Sequence, residues 1–328
     1  MKILVLRFSS IGDIVLTTPV IRCLKKQIPN AEIHFLTKNK FKCLLEENPH
    51  IHTIHGFDHS YKEVLGDLKR QQFDYVIDLH KNIRSLSLRF RLKVPSYSFP
   101  KLNLKKLLLV RFKVNRMPER HIVERYFSAV TPLNVQNDRE NCELFLAEKD
   151  QIKIPDEFGV QHFLAVAIGA QFATKRLPYS KLRSILAPLS MPIILLGDQH
   201  DAKIAEQLIS ELPDKNIIQA CGKYSIKQSA SIVQQADALL SHDTGLMHIA
   251  TAFQVPIISV WGNTVPALGM YPYYPKQPEM YSIHEVPNLS CRPCSKIGFQ
   301  SCPKKHFNCM NLQNEEEITK RINERFSN

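Results

Sequence analysis

Three short stretches of this chain hold residues whose types and spacing suit chemistry. In SSIGD, Asp13 follows two serines and Gly12 and opens a helical pattern with Ile14, Val15, Val20, Ile21 and Leu24 on its apolar side. Gly12 lets the backbone turn tightly and a ligand approach closely. A carboxylate in a first helical turn has two uses: it favours the helix N-terminus by about 0.3–1 kcal/mol, or it takes a proton from a hydroxyl attacking a sugar carbon.

The second stretch is HDTGLMHIA. Asp243 or Thr244 can cap a helix there, and Gly245 leaves the first amides open, an arrangement that binds phosphate through N–H groups and the helix dipole. His248 falls four residues after Thr244, near the same face. The plain alternative is a capped helix with no ligand. The third stretch, Thr174-Lys175-Arg176-Leu177-Pro178, follows Gly169-Ala170 and joins a hydroxyl to two cations that can meet a diphosphate. A departing nucleoside diphosphate gathers negative charge, so positive potential set in advance beside it is what catalysis requires. Neither cluster carries a D-x-D pair, and Asp198 and Asp201 are three apart after another strand, so obligatory Mg²⁺ is not indicated.

These residues need strands to hold them. Short β-rich runs alternate with helical stretches throughout, which predicts parallel sheets covered by helices. Strands are expected at 2–8, 32–37, 52–55 and 75–79 in the first half, and at 163–168, 192–196, 217–220, 238–241 and 256–260 in the second. The polar segment 147–159 reads as a linker, dividing the chain into domains 1–155 and 156–328. Ligands of such sheets sit at the carboxyl ends of the strands, so an interdomain cleft is the expected place of function. Residues 314–326, with Asn314 ahead of three glutamates and with later basic residues, read as a terminal helix.

At 328 residues, 44% hydrophobic and 23% charged, the chain is of ordinary globular composition and long enough for two cores. The start reads as a strand, not a signal peptide, and no run approaches the roughly 18–20 apolar residues of a membrane span. A cytoplasmic location is expected, with the eight cysteines reduced or metal-bound. The net charge of +12, much of it between Lys81 and Arg116, favours an anionic partner. A basic nucleic-acid-binding protein is the alternative this charge offers, and the lack of a helix-turn-helix, RNA-binding sheet or zinc-finger pattern weighs against it. The turn after the first strand lacks G-x-G-x-x-G spacing, which weighs against a dinucleotide-dependent oxidoreductase.

Residues 102–117, LNLKKLLLVRFKVNRM, predict either a helix on an anionic membrane surface or a core helix turning basic side chains to water. Cys291, Cys294, Cys302 and Cys309 are spaced as a structural zinc site can be, with reduced loop thiols as the alternative.

Taken together, LRFSSIGDIVLTTPV, FDYVIDLHKNIRS, GAQFATKRLP and SHDTGLMHIATAFQVPIISVWGNTVP resemble, in this order and over nearly the whole chain, glycosyltransferase family 9. The resemblance implies the GT-B architecture of two facing Rossmann-like domains. It also implies inverting transfer of heptose from ADP-heptose to a lipopolysaccharide core or related anionic, lipid-linked glycan. Asp13 is then the catalytic base, with Ser10, Gly12, His80, Lys81 and Arg84 on the acceptor side. Thr174 and Lys175 become phosphate contacts, Asp243, Thr244, Gly245 and His248 the donor loop, and Thr264 a donor-side residue. Where the family shows K-R-W-P this chain has Lys175-Arg176-Leu177-Pro178, which alters packing beside the phosphate. No cofactor is expected for the chemistry. A monomer making transient contact with the inner membrane surface is expected, and a nucleotide-sugar epimerase of the same architecture is the alternative enzyme.

Overall fold

In the computed structural model, which describes residues 1–327, the apolar runs form two separate parallel sheets. The first holds β1 (Lys2–Leu6), β2 (Glu32–Lys38), β3 (Thr53–Phe57), β4 (Tyr75–Asp78) and β5 (Ser96–Ser98) in the order β3-β2-β1-β4-β5. Central β1 pairs Ile3 with Ile33 on one side and with Tyr75 on the other. Its residues 3–6 are fully buried, which is why the run ILVL is apolar throughout instead of alternating. Leu4, Leu6, Leu36 and Val76 pack with Phe8 and Phe57 in one core cluster, each such side chain contributing about 1.5–3 kcal/mol by burial.

The second sheet holds β6 (Leu164–Ala167), β7 (Ile193–Leu196), β8 (Ile217–Gln219), β9 (Ala238–His242), β10 (Ile257–Trp261) and β11 (Tyr281–Glu285), ordered β11-β10-β9-β6-β7-β8. Successive side chains point to opposite faces, so Leu164 and Val166 enter one cluster while Phe163, Ala165 and Ala167 enter the other. The expected α/β class with Rossmann-like parallel sheets is therefore what forms. All nine expected strands are present, and the edge strands β5 and β11 are additions. The terminal helix runs Glu315–Asn323, with Asn314 Oδ1 accepting from the Glu317 N–H at 3.1 Å.

One compact unit comprises Met1–Lys101 with Arg120–Ala147, and the other Leu102–Glu119 with Glu148–Asn328. The basic stretch 102–119 thus groups with the second unit, where Lys113 Nζ donates to the carbonyls of Cys291 (3.1 Å) and Pro293 (2.5 Å). Its helix, Asn103–Phe112, buries Leu109 alone and leaves Leu104, Leu107 and Phe112 exposed at 70%, 55% and 63%. A core helix is therefore not what forms there. Among the described residues no helix is long and apolar enough to cross a membrane.

Candidate functional site

In each sheet the strand order reverses at a central strand, and the crevice at that switch point is where doubly wound folds bind ligands. In the first unit it lies between β1 and β4. The chain leaving β1 turns through Ser10 into the short helix Ile11–Val15, and Asp13 Oδ2 accepts from the Ser10 N–H (3.2 Å) and Oγ (2.8 Å). The carboxylate thereby serves as a cap for the turn. Its other oxygen is paired with Arg7 Nη2.

Arg7 holds this arrangement in place. Its Nε donates to Ser9 O (2.8 Å) and its Nη1 to Leu79 O (2.6 Å) and the Tyr126 hydroxyl (3.1 Å), at 9% exposure. Burial alone would push the Asp13 carboxyl up. The Arg7 charge and the Ser10 hydrogen bonds outweigh it, and the net shift is downward. Asp13 is therefore ionised at neutral pH and able to receive a proton, while 23% of its side-chain surface stays open.

After β4, buried Asp78 shapes the neighbouring turn: its Oδ1 accepts from the backbone N–H of His80 (3.0 Å) and Lys81 (2.7 Å), and its Oδ2 from Ser85 Oγ (2.8 Å). His80 packs its ring on Phe8, with centroids 4.6 Å apart. Burial, then Arg7 and Lys101, push its pKa down to about 3, so it is a neutral imidazole. Lys81 Nζ donates to Phe99 O at 2.8 Å, and Arg84 is exposed in the first turn of the helix Ile83–Leu92, which Asn82 caps. Ser10, Gly12, Asp13, His80 and Lys81 thus gather at one switch point, with Arg84 just beyond it.

In the second unit the switch point lies between β6 and β9. Lys175, on the turn after β6, reaches across to Asp243, on the turn after β9: Nζ is 2.6 Å from Oδ2 and donates to the backbone oxygen at 3.2 Å. Thr264, from the turn after β10, donates its hydroxyl to the same Oδ2 at 2.9 Å. An ammonium has three N–H donors, so two held by Asp243 leave one for a ligand. Thr244 begins the helix Gly245–Ala252 in an extended conformation, with its hydroxyl 3.2 Å from Ser241 Oγ rather than on the helix amides. Those first amides are thus left to other acceptors.

Other candidates have structural partners. The Thr174 hydroxyl, expected at the phosphate, is 2% exposed and bonds both the Phe299 carbonyl (3.0 Å) and the Phe299 N–H (2.8 Å). His248 is buried in the helix at 2% exposure. Arg176 is taken up by Ala170 O (2.7 Å) and Asp201 (3.2 Å), and a Cβ at Gly169 would sit 2.0 Å from Asp201 Oδ2, so only glycine allows that approach.

Two residues escaped the sequence reading. Arg7 is one. The other is Asn263, 1% exposed, whose side-chain oxygen and nitrogen both lack a hydrogen-bond partner beside Thr264. An orphaned buried amide costs about 1–3 kcal/mol, a cost that a polar ligand would offset.

Burial and then the neighbouring cysteines push the Cys294 thiol pKa up, and Cys309 is pushed up to about 12, first by burial and then by Cys294. Yet among the described residues no three of their sulfurs come within 4.8 Å of one another. At about 2.3 Å per Zn–S bond a closed thiolate site needs sulfurs nearer than that, so these residues do not form one in this geometry.

A family model described as glycosyltransferase family 9 (heptosyltransferase) matches residues 63–297. Lipooligosaccharide heptosyltransferase 2 of Haemophilus influenzae is 25% identical over 292 residues, covering 81% of this chain and 84% of that one. Among solved structures, a glycosyl transferase family 9 protein from Veillonella parvula superposes with a TM-score of 0.71 at 21% identity, covering 86% of this chain and 85% of that one. ADP-heptose lps heptosyltransferase II of E. coli superposes with a TM-score of 0.69 at 17% identity, covering 98% and 100%.

Proposed function

The chain belongs to glycosyltransferase family 9, the heptosyltransferases, and from that membership we propose that it transfers heptose from ADP-heptose to a lipopolysaccharide core or related lipid-linked glycan with inversion. An acceptor hydroxyl attacks the anomeric carbon and gives its proton to Asp13. The bond from that carbon to the phosphate oxygen breaks, and the diphosphate keeps the electron pair. Lys175 and the open amides after Thr244 take up the growing charge, and no step is routed through a metal.

One observation carries the reading: each sheet ends, at its own switch point, in a charged pair of the kind the reaction needs. These are an ionised carboxylate backed by Arg7 and an ammonium backed by Asp243. The Asn263 amide adds a donor and an acceptor suited to the nucleotide or sugar. Mixing the protein with ADP-heptose and a truncated lipid-linked core should add one heptose to the acceptor, read by mass, with ADP released only when acceptor is present. Isomerised sugar formed without acceptor would instead indicate the epimerase, and a higher rate with another nucleotide sugar would rename the donor.

A lipid-linked acceptor is met at a membrane surface, and the exposed Leu104, Leu107 and Phe112 among Lys105, Lys106 and Arg111 suit an anionic one. Sedimentation with phosphatidylglycerol vesicles but not with phosphatidylcholine vesicles is expected, weakened by Leu104→Ser with Leu107→Ser. Equal binding to both vesicle types would remove the electrostatic part of this reading.

A further inference from the structure

At the opposite end of the first sheet from Asp13, where β2 begins, Glu32, His34 and His52 converge. Glu32 Oε2 lies 4.0 Å from His34 Nε2 and 4.0 Å from His52 Nε2, and all three ligand atoms fall within 4.8 Å of one another. Glu32 and His34 are two apart on β2, hence on one face. His52, held by its N–H to Ile33 O at 2.8 Å, comes in from the chain entering β3.

His34 is the informative member. It is 1% exposed, Phe73 packs edge-on to its ring at 5.0 Å, and its Nδ1 lies 3.1 Å from His55 Nε2. Its Nε2 is buried without a hydrogen-bond partner. If Nδ1 carries the proton and donates to His55, the Nε2 lone pair faces the Glu32 carboxylate with nothing between them. If Nε2 carries it, the nitrogen lies 4.0 Å from the carboxylate oxygen, beyond hydrogen-bond reach. Each tautomer leaves one group unsatisfied, and a cation between Nε2 and Oε2 satisfies both in the first.

We propose that Glu32, His34 and His52 bind a divalent transition-metal ion, with His55 as the outer hydrogen-bond partner that fixes the His34 ring. Two imidazoles and a carboxylate suit zinc, cobalt, nickel or copper, with water completing the shell. Tetrahedral bonds of about 2.0–2.2 Å place ligand atoms about 3.4 Å apart, so the two 4.0 Å separations must close, which the exposed Glu32 and His52 side chains are placed to allow. Lys2 Nζ, now 3.8 Å from Glu32 Oε2, is the charge the ion displaces. Bound there, the ion ties β2 to the chain entering β3. This proposal does not depend on the transferase reading.

The test titrates Co²⁺ or Zn²⁺ into the metal-free full-length protein, following heat together with the histidine imidazole ¹⁵N resonances. One ion is expected, with His34 and His52 resonances perturbed by Co²⁺. His55→Phe should weaken binding about ten- to a hundredfold, as outer-sphere changes do, and His52→Ala or Glu32→Gln at least as much. Both of the latter side chains are substantially exposed, so the variants should keep the wild-type melting temperature in the absence of metal. Unchanged affinity in His52→Ala and Glu32→Gln, an unperturbed His34, or Co²⁺ bound only with a thiolate charge-transfer band would each overturn the proposal.

Discussion

The ends of β1 and of β6 and β9 are both finished with a lysine or arginine against an aspartate, yet the partners exchange roles. In the first unit the arginine is the support: it is 9% exposed, tied to Ser9, Leu79 and Tyr126, and the aspartate keeps open surface. In the second unit the aspartate is the support, holding Lys175 twice and Thr264 once, and the lysine keeps a spare donor. An ion pair at a strand end therefore does not announce which member reacts. The member fixed by additional partners is the scaffold, and the less constrained one keeps open surface or a spare donor.

The contrast can be broken at its strongest point by Asp13→Asn, which retains an acceptor for Ser10 but not a base. Turnover should fall about 10²–10⁴-fold while ADP affinity, by calorimetry, stays within twofold of wild type. A rate within tenfold of wild type would return Asp13 to a capping role. Next in size is Lys175→Met, expected to lower kcat about 10²–10³-fold and to weaken ADP binding as well. Thr264→Val, which removes one hydrogen bond from the supporting carboxylate, should cost about tenfold. If Thr264→Val matched Lys175→Met, the second unit would not follow the division of roles drawn here.

The smallest effect concerns pH. The folded-state pKa of Asp13 is depressed, so the carboxylate stays charged and its contribution to activity and stability is lost only as pH falls through that lowered value. Arg7→Gln removes the cation that outweighs burial. The acid limb of kcat/KM should then move to higher pH, with a lower kcat at neutral pH. An acid limb that stayed in place would mean that Arg7 does not tune the carboxylate.

Much of this was legible in the chain itself, for reasons that mark the limit. Buried parallel strands are apolar throughout, so β1, β6, β7, β9 and β10 stood out as runs, and whatever followed them stood at strand ends: Asp13, Lys175 and Asp243. Edge strand β5, only SYS, has too little apolar character to be seen. Arg7 sits inside an apolar run, and its meaning comes from Leu79 and Tyr126, 72 and 119 residues away. The engagement of the Thr174 hydroxyl is hidden for the same reason, since its partner Phe299 lies 125 residues on. The histidines and glutamate at the foot of β2 are brought together only by strand register, which no spacing rule along the chain displays.

The cysteine-bearing segment has one more consequence. Arg292 clasps the carbonyls of Gly262 and Thr264, the Cys294 N–H holds Asn263 O at 3.2 Å, and Phe299 holds Thr174, the residue beside Lys175. A single tether thus fastens two of the turns at the switch point of the second sheet. Slack introduced there, by oxidation of a thiol or by Arg292→Ala, would reach Lys175 and Thr264 in the same stroke. The spacing between these two side chains is thus held by a peptide that belongs to neither turn.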